Sequence, residues 1–454
     1  MLVVTRLVEV RAGRIWHIGA SAFVALLVGS AVWGWVLCWL LERLTGPAVG
    51  WAWLSRRTLV LVAIAPIAVA SVFLLLRHAG ARETDAIRLA VVAGAALLAG
   101  GVARIWFGSR RIVSQLLIAV AVAGWGYYDA MTVLYQPFRD IRLYLAAGAT
   151  WVSGSPVYQR APLVVLPVDP SRLPFVYPPF LLPIFGALSK LPEQAAIVIW
   201  EVAAIGAVIA GLKLLGIRSR WIPILIMWPP IAVGLSVGNS ASFAFLGLAA
   251  GWRWGAALVL AGVFKAQAAI PSIWLVRERR WRALLLGCAG LAGLVLVTLP
   301  LTGIAIYLEW LRGLAAFEQT VREFRPLEGL ALQRYLPQGL AIAVAVGATV
   351  GALLATGRMG LARFGIVAII SSPTVYIHGL SLMLPGVLWL DTTSLWLVLG
   401  LTPLGFGAWI AVAFTAVALV FGLTRSASAS SLPAAEQTDG GAMHPLGSTL
   451  EPWP

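Results

Sequence analysis

The sequence predicts an all-α fold, a polytopic bundle of transmembrane helices, from three observations. Of the 454 residues, 60% are hydrophobic and 11% are charged, whereas soluble domains are about 45–50% apolar and about 25% charged. The mean hydropathy is +0.91. The apolar residues recur in stretches of about 20, the length that a helix needs to cross the hydrocarbon core of a bilayer. We therefore expect roughly 11–14 membrane spans.

The individual spans follow from these apolar stretches. The first is long enough to cross a bilayer and lacks a small-residue cleavage site, so we interpret it as a span and not as a signal peptide. Three short stretches, near 174–189, 221–236 and 240–252, are expected to be tilted, re-entrant or broken at Pro and Gly, and 364–390 is either one span or two short ones that meet near His378. The predicted spans are 17–41, 58–76, 86–107, 112–135, 174–189, 194–212, 221–236, 240–252, 254–276, 283–304, 337–357, 364–390 and 396–423.

Two connections between spans, 136–174 and 307–338, are too long to be simple turns. The basic run 277–282 is the densest in a short loop, which places that loop in the cytoplasm and both long connections on the extracytoplasmic face. The same count puts the N-terminus outside, against the preference of its basic residues, unless one of the first four stretches does not cross. Within the second connection, Glu318 and Arg322 are four residues apart, as on an exposed helix.

Charge and cysteine content exclude several classes of function. We interpret the net charge of +15 as topology signals and contacts with lipid headgroups, and not as a nucleic-acid surface. Cys38 and Cys288 both lie inside apolar stretches and predict no disulfide framework. The histidines are too scattered to predict a metal site. The segment 426–454 is rich in Ser, Ala, Pro and Gly, which predicts a disordered tail.

The first long connection holds residues with clear chemical character. Its segment 140–152 fits a short amphipathic helix on the membrane surface. The residues that share the apolar face of this helix are Ile141, Tyr144, Leu145 and Gly148.

Asp140, at the start of this helix, allows two interpretations. It is either an N-cap that accepts hydrogen bonds from free backbone N–H groups, or a functional carboxylate at the membrane–water boundary. In the second case the cations Arg139 and Arg142 favour its ionised form, and it could accept a proton from an acceptor hydroxyl. The same guanidinium groups could instead hold a phosphate.

The sequence Tyr177-Pro178-Pro179 marks the point where the first connection re-enters the membrane, because Pro is accepted in the first turn of a helix. Tyr177 suits the interface, where aromatic residues are enriched. His378 either binds a phosphate or a substrate hydroxyl, or is an interface histidine.

Two charged residues lie inside predicted spans. Lys265 is near the middle of 254–276, where a lysine costs roughly 2.5–3.5 kcal/mol on insertion. It either faces a cavity, toward a phosphate, or snorkels to the interface. Glu201, in 194–212, either pairs with a cation or faces a wet crevice.

These residues form a pattern that resembles the integral-membrane GT-C glycosyltransferases and, more narrowly, glycosyltransferase family 87, the polyprenyl-phosphate-mannose-dependent mannosyltransferase type. Downstream, Gly238-Asn239 stands where the family has Gly-Gln, Lys265-Ala266 stands where it has Lys-Pro, and 371–385 resembles its Ser-Pro…His segment. The resemblance covers roughly residues 112–390. Its first part is carried by Asp140, Tyr144, Ala146, Ala147, Gly154, Pro156, Tyr158, Tyr177, Pro178 and Pro179.

The resemblance implies a mechanism. Family members use a lipid-linked sugar phosphate, take an acidic residue of the first extracytoplasmic loop as general base and invert the sugar's configuration. By position that residue is Asp140, and no nucleotide or metal cofactor is then obligatory. The resemblance also divides the chain into N-terminal helices extra to the family pattern (1–111), a catalytic transmembrane domain (112–425) and the tail (426–454). The implied substrate-binding residues are Arg139, Arg142, Tyr144, Tyr177, Asn239, Lys265 and His378.

We therefore expect an enzyme on the outer face of a bacterial plasma membrane that moves a hexose, with mannose as the first expectation, from polyprenyl phosphate to a glycolipid or glycan hydroxyl. Its partners would be the donor, the acceptor and membrane lipids. The alternative is a transporter or lipid flippase, because Lys265 and Glu201 also suit a substrate pathway. No inverted repeat with paired broken helices favours that class, and a scaffolding role accounts poorly for a buried lysine.

Overall fold

The fold is all-α, as predicted. The structure is a computed structural model that describes residues 20–45, 56–78, 137–158, 174–323, 329–403 and 406–421, with scattered positions between 86 and 129. Over these residues the β contact is an isolated bridge between Gly329 and Val375. Among them, the helices Glu193–Leu214 and Trp281–Thr302 are each long and apolar enough to cross a membrane, and several apolar helices are shorter.

The helices are labelled in chain order, and short 3₁₀ helices are given by their range. They are α1 (Ala20–Thr45), α2 (Arg56–His78), α3 (Arg139–Val152), α4 (Leu182–Leu188), α5 (Glu193–Leu214), α6 (Ile222–Ile226), α7 (Pro229–Ser236), α8 (Ala241–Ala250), α9 (Ala256–Ala261), α10 (Ile273–Arg277), α11 (Trp281–Thr302), α12 (Ile304–Glu323), α13 (Gln338–Leu353), α14 (Gly357–Ile370), α15 (Leu384–Val387), α16 (Thr392–Leu401) and α17 (Phe406–Phe421).

The segment 254–276, predicted as one continuous span, is broken. Helix α9 is followed by Lys265 in an extended conformation, with φ −152° and ψ 119°. A 3₁₀ helix, Ala266–Ser272, and then α10 complete the segment, and Pro271 inside the 3₁₀ helix lacks the N–H that a regular ladder would use. The expectation that Lys265 lies in the middle of a helix was therefore wrong, because it lies at the break.

The segment 364–390 is also divided, which selects the second of the two arrangements that the sequence allowed. Helix α14 ends at Ile370, and a 3₁₀ helix, Ile377–Met383, starts the next piece before α15. The irregular stretch 371–376 between them brings His378 to the start of this 3₁₀ helix.

The second long connection is helical over its first half. Helix α12 runs to Glu323 and is separated from α11 by Gly303, which has φ +74°. On α12 the predicted pair of Glu318 and Arg322 forms an exposed ion pair between residues four apart. The second connection thus begins with a helix, and the expectation of an exposed helix at this pair is confirmed.

The amphipathic helix of the first connection is present as α3 and begins one residue earlier than predicted. All four residues of the predicted apolar face are buried. They pack against aromatic side chains of α4, α5 and the segment before the 3₁₀ helix Pro179–Leu181. This smaller apolar cluster contains Ile141, Tyr144, Leu145, Tyr158, Phe175, Phe185 and Trp200.

The larger apolar cluster surrounds α14, whose residues from Gly360 to Ile370 are buried with the exception of the half-buried Arg363. Helix α14 is therefore the central helix of the described fold. At its N-terminal end, Arg280 lies 4.8 Å from the ring centre of Trp274 and 5.2 Å from that of Trp252, and Arg358 lies 5.0 Å from Trp252. This alternating stack of cations and indoles ties the ends of α8, α10, α11 and α14 together.

Three expectations fall on other parts of the chain. The tail 426–454 and the basic N-terminal residues lie outside the described residues. The predicted boundary near residue 111 falls where only scattered positions are described.

Candidate active site

The candidate site forms where the start of α3 meets the end of α7. The N–H of Phe138 donates to the Ser236 carbonyl at 2.8 Å, and the N–H of Asp140 donates to the Val237 carbonyl at 2.7 Å. Phe138, the N-cap residue, adopts a left-handed conformation with φ 57°. Main-chain hydrogen bonds therefore fix the position of Asp140 relative to the turn after α7.

Asp140 is buried, with 6% of its surface exposed. Its Oδ2 accepts a hydrogen bond from Asn239 Nδ2 at 2.5 Å, and its Oδ1 accepts one from Arg139 Nε at 2.8 Å. The N-cap of α3 is Phe138, with no side-chain capping bond. The capping interpretation of Asp140 is therefore wrong, and its carboxylate is held by an amide and a guanidinium group.

The turn at Gly238 orients Asn239. The N–H of Ala241 donates to Asn239 Oδ1 at 2.9 Å, so the amide nitrogen must face Asp140. Gly238 has φ +70°, and a Cβ on it would lie 2.6 Å from Ile141 Cγ2. Its carbonyl accepts from Trp200 Nε1 at 2.9 Å. Only glycine fits this conformation and this close approach.

A chain of hydroxyl groups lies beside the carboxylate. The hydroxyls of Tyr144 and Tyr177 are 2.7 Å apart, and Ser240 Oγ lies 3.1 Å from the Tyr177 hydroxyl and 3.2 Å from the Phe264 carbonyl. Burial raises the pKa of Tyr144, and the neighbouring Tyr177 and Asp140 raise it further. The Tyr144 hydroxyl therefore stays protonated at neutral pH and can serve as a donor in this chain.

Lys265 and His378 complete the polar cluster. Lys265 directly follows Phe264, whose carbonyl accepts a hydrogen bond from Ser240 Oγ. The lysine is half-buried and interacts electrostatically with Asp140. His378 is 3% exposed, and the charges of Lys265 and Arg139 act on it. Within the described residues its Nε2 is buried without a hydrogen-bond partner. The break at Lys265 and the break before His378 thus bring two separate segments to the carboxylate.

Arg142 is not part of this cluster. Its Nε donates to Glu193 Oε1 at 2.8 Å, and about half of each side chain is exposed. The structure therefore corrects the expectation that Arg142 flanks the carboxylate. Glu201 Oε1 lies 3.2 Å from the Cβ position of Gly238 and is buried without a hydrogen-bond partner in the described part of the chain.

The two long connections meet next to the site. The Tyr158 hydroxyl donates to the Tyr177 carbonyl at 2.8 Å. Trp310 Nε1, on α12, donates to the Val176 carbonyl at 3.0 Å. Both connections thus hold the segment that carries Tyr177. Burial raises the pKa of the Tyr158 hydroxyl, which therefore stays protonated and remains a donor in this contact.

Sequence reasoning named most of the residues that the structure brings together and missed one. Arg139, Asp140, Tyr144, Tyr177, Asn239, Lys265 and His378 form one cluster, whereas Arg142 points elsewhere. The missed residue is Ser240. The signal that could have indicated it is its position directly after Gly238-Asn239, at the start of α8.

Comparison with known families finds a glycosyltransferase domain within this chain. More narrowly, residues 175–363 match Glycosyltransferase family 87, so this stretch is a domain of that family and the resemblance drawn from the motifs is confirmed. The match is shorter than the expected 112–390; it includes Tyr177, Asn239 and Lys265 and leaves out Asp140 and His378. No curated protein and no solved structure matches the chain.

Proposed function

We propose that this glycosyltransferase moves a hexose, with mannose as the first candidate, from a polyprenyl-phosphate donor to a hydroxyl of a glycolipid or glycan acceptor. The observation that carries the proposal is the buried carboxylate of Asp140, held by Asn239 and Arg139 beside two further polar side chains, Lys265 and His378.

The reaction assigns a task to the carboxylate. The acceptor oxygen forms a bond to the anomeric carbon while the bond from that carbon to the phosphate oxygen breaks. The hydroxyl proton goes to Asp140, and the bonding electrons leave with the polyprenyl phosphate. Attack from the side opposite to the phosphate inverts the anomeric configuration. A positioned base of this kind contributes about 10²–10⁴-fold to a rate.

The charges around Asp140 suit a phosphate leaving group. Arg139 and Lys265 bring two cationic side chains to one carboxylate, and within the described residues Lys265 forms no ion pair. A donor phosphate would supply the missing negative charge, and the cations would stabilise the charge that grows on the leaving oxygen. This leaving group needs no nucleotide.

The apolar character of the chain supports a lipid-linked donor. A chain with 60% hydrophobic residues is suited to the bilayer that holds a polyprenyl tail. The donor can therefore keep its tail in the lipid while its sugar phosphate enters the polar cluster. We place the site on the extracytoplasmic side of a bacterial plasma membrane, since the basic run 277–282 favours the cytoplasm.

Transfer by purified protein in lipid nanodiscs, with radiolabelled polyprenyl-phosphate sugars and extraction of labelled products, tests the proposal. Asp140→Asn keeps the shape of the side chain and removes the base, so we expect turnover to fall about 10²–10⁴-fold with unchanged thermal unfolding. The control is Glu193→Gln, which neutralises an exposed carboxylate that contacts the same helix. Substantial turnover by Asp140→Asn would contradict the assignment of the base.

A further inference from the structure

A short piece of the second long connection is fixed against the stretch that leads to His378. The N–H of Leu330 donates to the Val375 carbonyl at 2.5 Å, next to the backbone bridge between Gly329 and Val375. Trp409 Nε1 donates to the Leu330 carbonyl at 2.7 Å, and Arg334 Nη1 donates to the Gly329 carbonyl at 2.8 Å. Several contacts therefore hold residues 329 and 330 beside Tyr376.

Gly329 allows this close approach. It has φ +63°, and a Cβ on it would lie 2.4 Å from the Val375 carbonyl oxygen and 3.2 Å from Tyr376 Cδ1. A side chain at this position would push against both the backbone bridge and the tyrosine ring. The glycine thus lets the connection pack against one edge of Tyr376.

Tyr376 presents an aromatic ring at the candidate site. Its ring stacks on the His378 imidazole, with centres 5.8 Å apart and planes 26° apart. His378 is 3% exposed, whereas Tyr376 is 37% exposed. Arg139 and Asp140 also interact electrostatically with the tyrosine. The ring of Tyr376 therefore stacks on a buried histidine of the polar cluster, while the residue keeps a substantial exposed surface.

We propose that the exposed ring of Tyr376 contacts the hexose of the donor and contributes to sugar recognition, an inference that rests on the proposed function. The face of an aromatic ring carries partial negative charge, and the C–H groups on one side of a pyranose carry partial positive charge. Ligand sites combine such aromatic surfaces with a few polar groups that fix orientation. Here Asp140, Lys265 and His378 supply the polar groups, and Tyr376 supplies the surface.

The test compares Tyr376→Leu with Tyr376→Phe in the nanodisc transfer assay. Tyr376→Leu removes the ring, and we expect the KM for the donor to rise roughly 3- to 10-fold, the size of an aromatic contact, with kcat and the acceptor KM little changed. Tyr376→Phe keeps the ring and should retain the wild-type donor KM. The control is Tyr335→Leu, because Tyr335 is a similarly exposed tyrosine (39%) on the second long connection, and its loss should leave the donor KM unchanged.

The outcomes separate this inference from the function on which it rests. Absence of transfer by the wild-type protein from any polyprenyl-phosphate hexose would contradict the proposed function itself. Wild-type transfer with an unchanged donor KM in Tyr376→Leu would contradict only the role of Tyr376. An equal rise in Tyr376→Phe would also contradict it, because the hydroxyl and not the ring would then carry the effect.

Discussion

At the scale of single residues, the site depends on direction as much as on residue type. Asp140 and Arg142 are two positions apart on α3, and residues at that spacing do not face each other on a helix. This explains why Arg142 pairs with Glu193 while Asp140 points inward to Asn239. The helical spacing could have excluded Arg142 from the sequence alone. The bond from Asn239 depends on a turn and could not be foreseen.

Asn239→Ala tests whether the amide positions the base. The change leaves Asp140 Oδ2 without the donor that now lies 2.5 Å away, and a lost hydrogen bond to a charged group is worth about 1.5–3 kcal/mol. We expect kcat to fall about 10- to 100-fold, with a smaller change in the donor KM. Steady-state kinetics in nanodiscs measures the split. Ser236→Ala is the control, since among the described residues that hydroxyl bonds only to the Val233 carbonyl of its own helix.

Lys265→Met tests whether the lysine holds the donor phosphate. The methionine keeps the length of the side chain and removes the charge, so donor binding should weaken about 10- to 100-fold while acceptor binding changes little. Lys265→Arg should restore the charge without the geometry. Donor affinity can be measured directly in the Asp140→Asn background, where turnover is suppressed. Equal donor affinities of Lys265→Met and the parent would identify the lysine as structural.

At the scale of elements, regular patterns were predictable and interruptions were less so. The apolar face of α3 follows from helical spacing, and every residue of that predicted face is buried. The break in 254–276 has a weaker signal, because the first proline of that segment, Pro271, comes six residues after the break at Lys265. The break is set by tertiary contacts, such as the approach of Ser240 to the Phe264 carbonyl.

Gly238→Ala tests the turn that carries Asn239. The new Cβ would meet Ile141 Cγ2 at 2.6 Å in a backbone conformation with φ +70°, so we expect a loss of stability of about 1–3 kcal/mol and a fall in kcat. Thermal unfolding and turnover should change together. Gly206→Ala is the matched control, because no atom of the described residues lies within 4 Å of its Cβ position; in a helix interior it should be neutral or slightly stabilising.

At the scale of the whole molecule, the candidate site lies at one end of helices α8 and α14, and the arginines that stack on Trp252 lie at the other end. Helix α8 begins next to Asn239 and ends beside Trp252, which stacks on Arg280. Helix α14 begins next to Arg358 and leads toward His378. The sequence predicts the basic run 277–282 and the two long connections on opposite sides of a membrane, from the charge of that run and a count of the predicted spans. The structure brings the two long connections together through Trp310 and Val176.

Labelling of single cysteines on intact cells tests the sidedness. Cysteines at Ser155, Tyr335 and Arg282, all exposed positions, are introduced after Cys38 and Cys288 have been replaced. We expect a membrane-impermeant thiol reagent to label positions 155 and 335 and to leave 282 protected until the cells are permeabilised, because the run 277–282 is the densest basic cluster in a short loop. Labelling at 155 with protection at 335 would separate the two connections and contradict a shared site.

The break at Lys265 has a consequence for backbone hydrogen bonding in a bilayer. Helix α9 has six residues, about 9 Å of helix, against a hydrocarbon core of about 30 Å. Neither it nor α10 can cross alone, and the Phe264 carbonyl at the break finds its partner on Ser240. Backbone polar groups inside a bilayer must be satisfied by protein. In a bilayer this segment would therefore depend on Ser240, directly before α8, for the partner of the Phe264 carbonyl, and removal of the Ser240 hydroxyl would take that partner away.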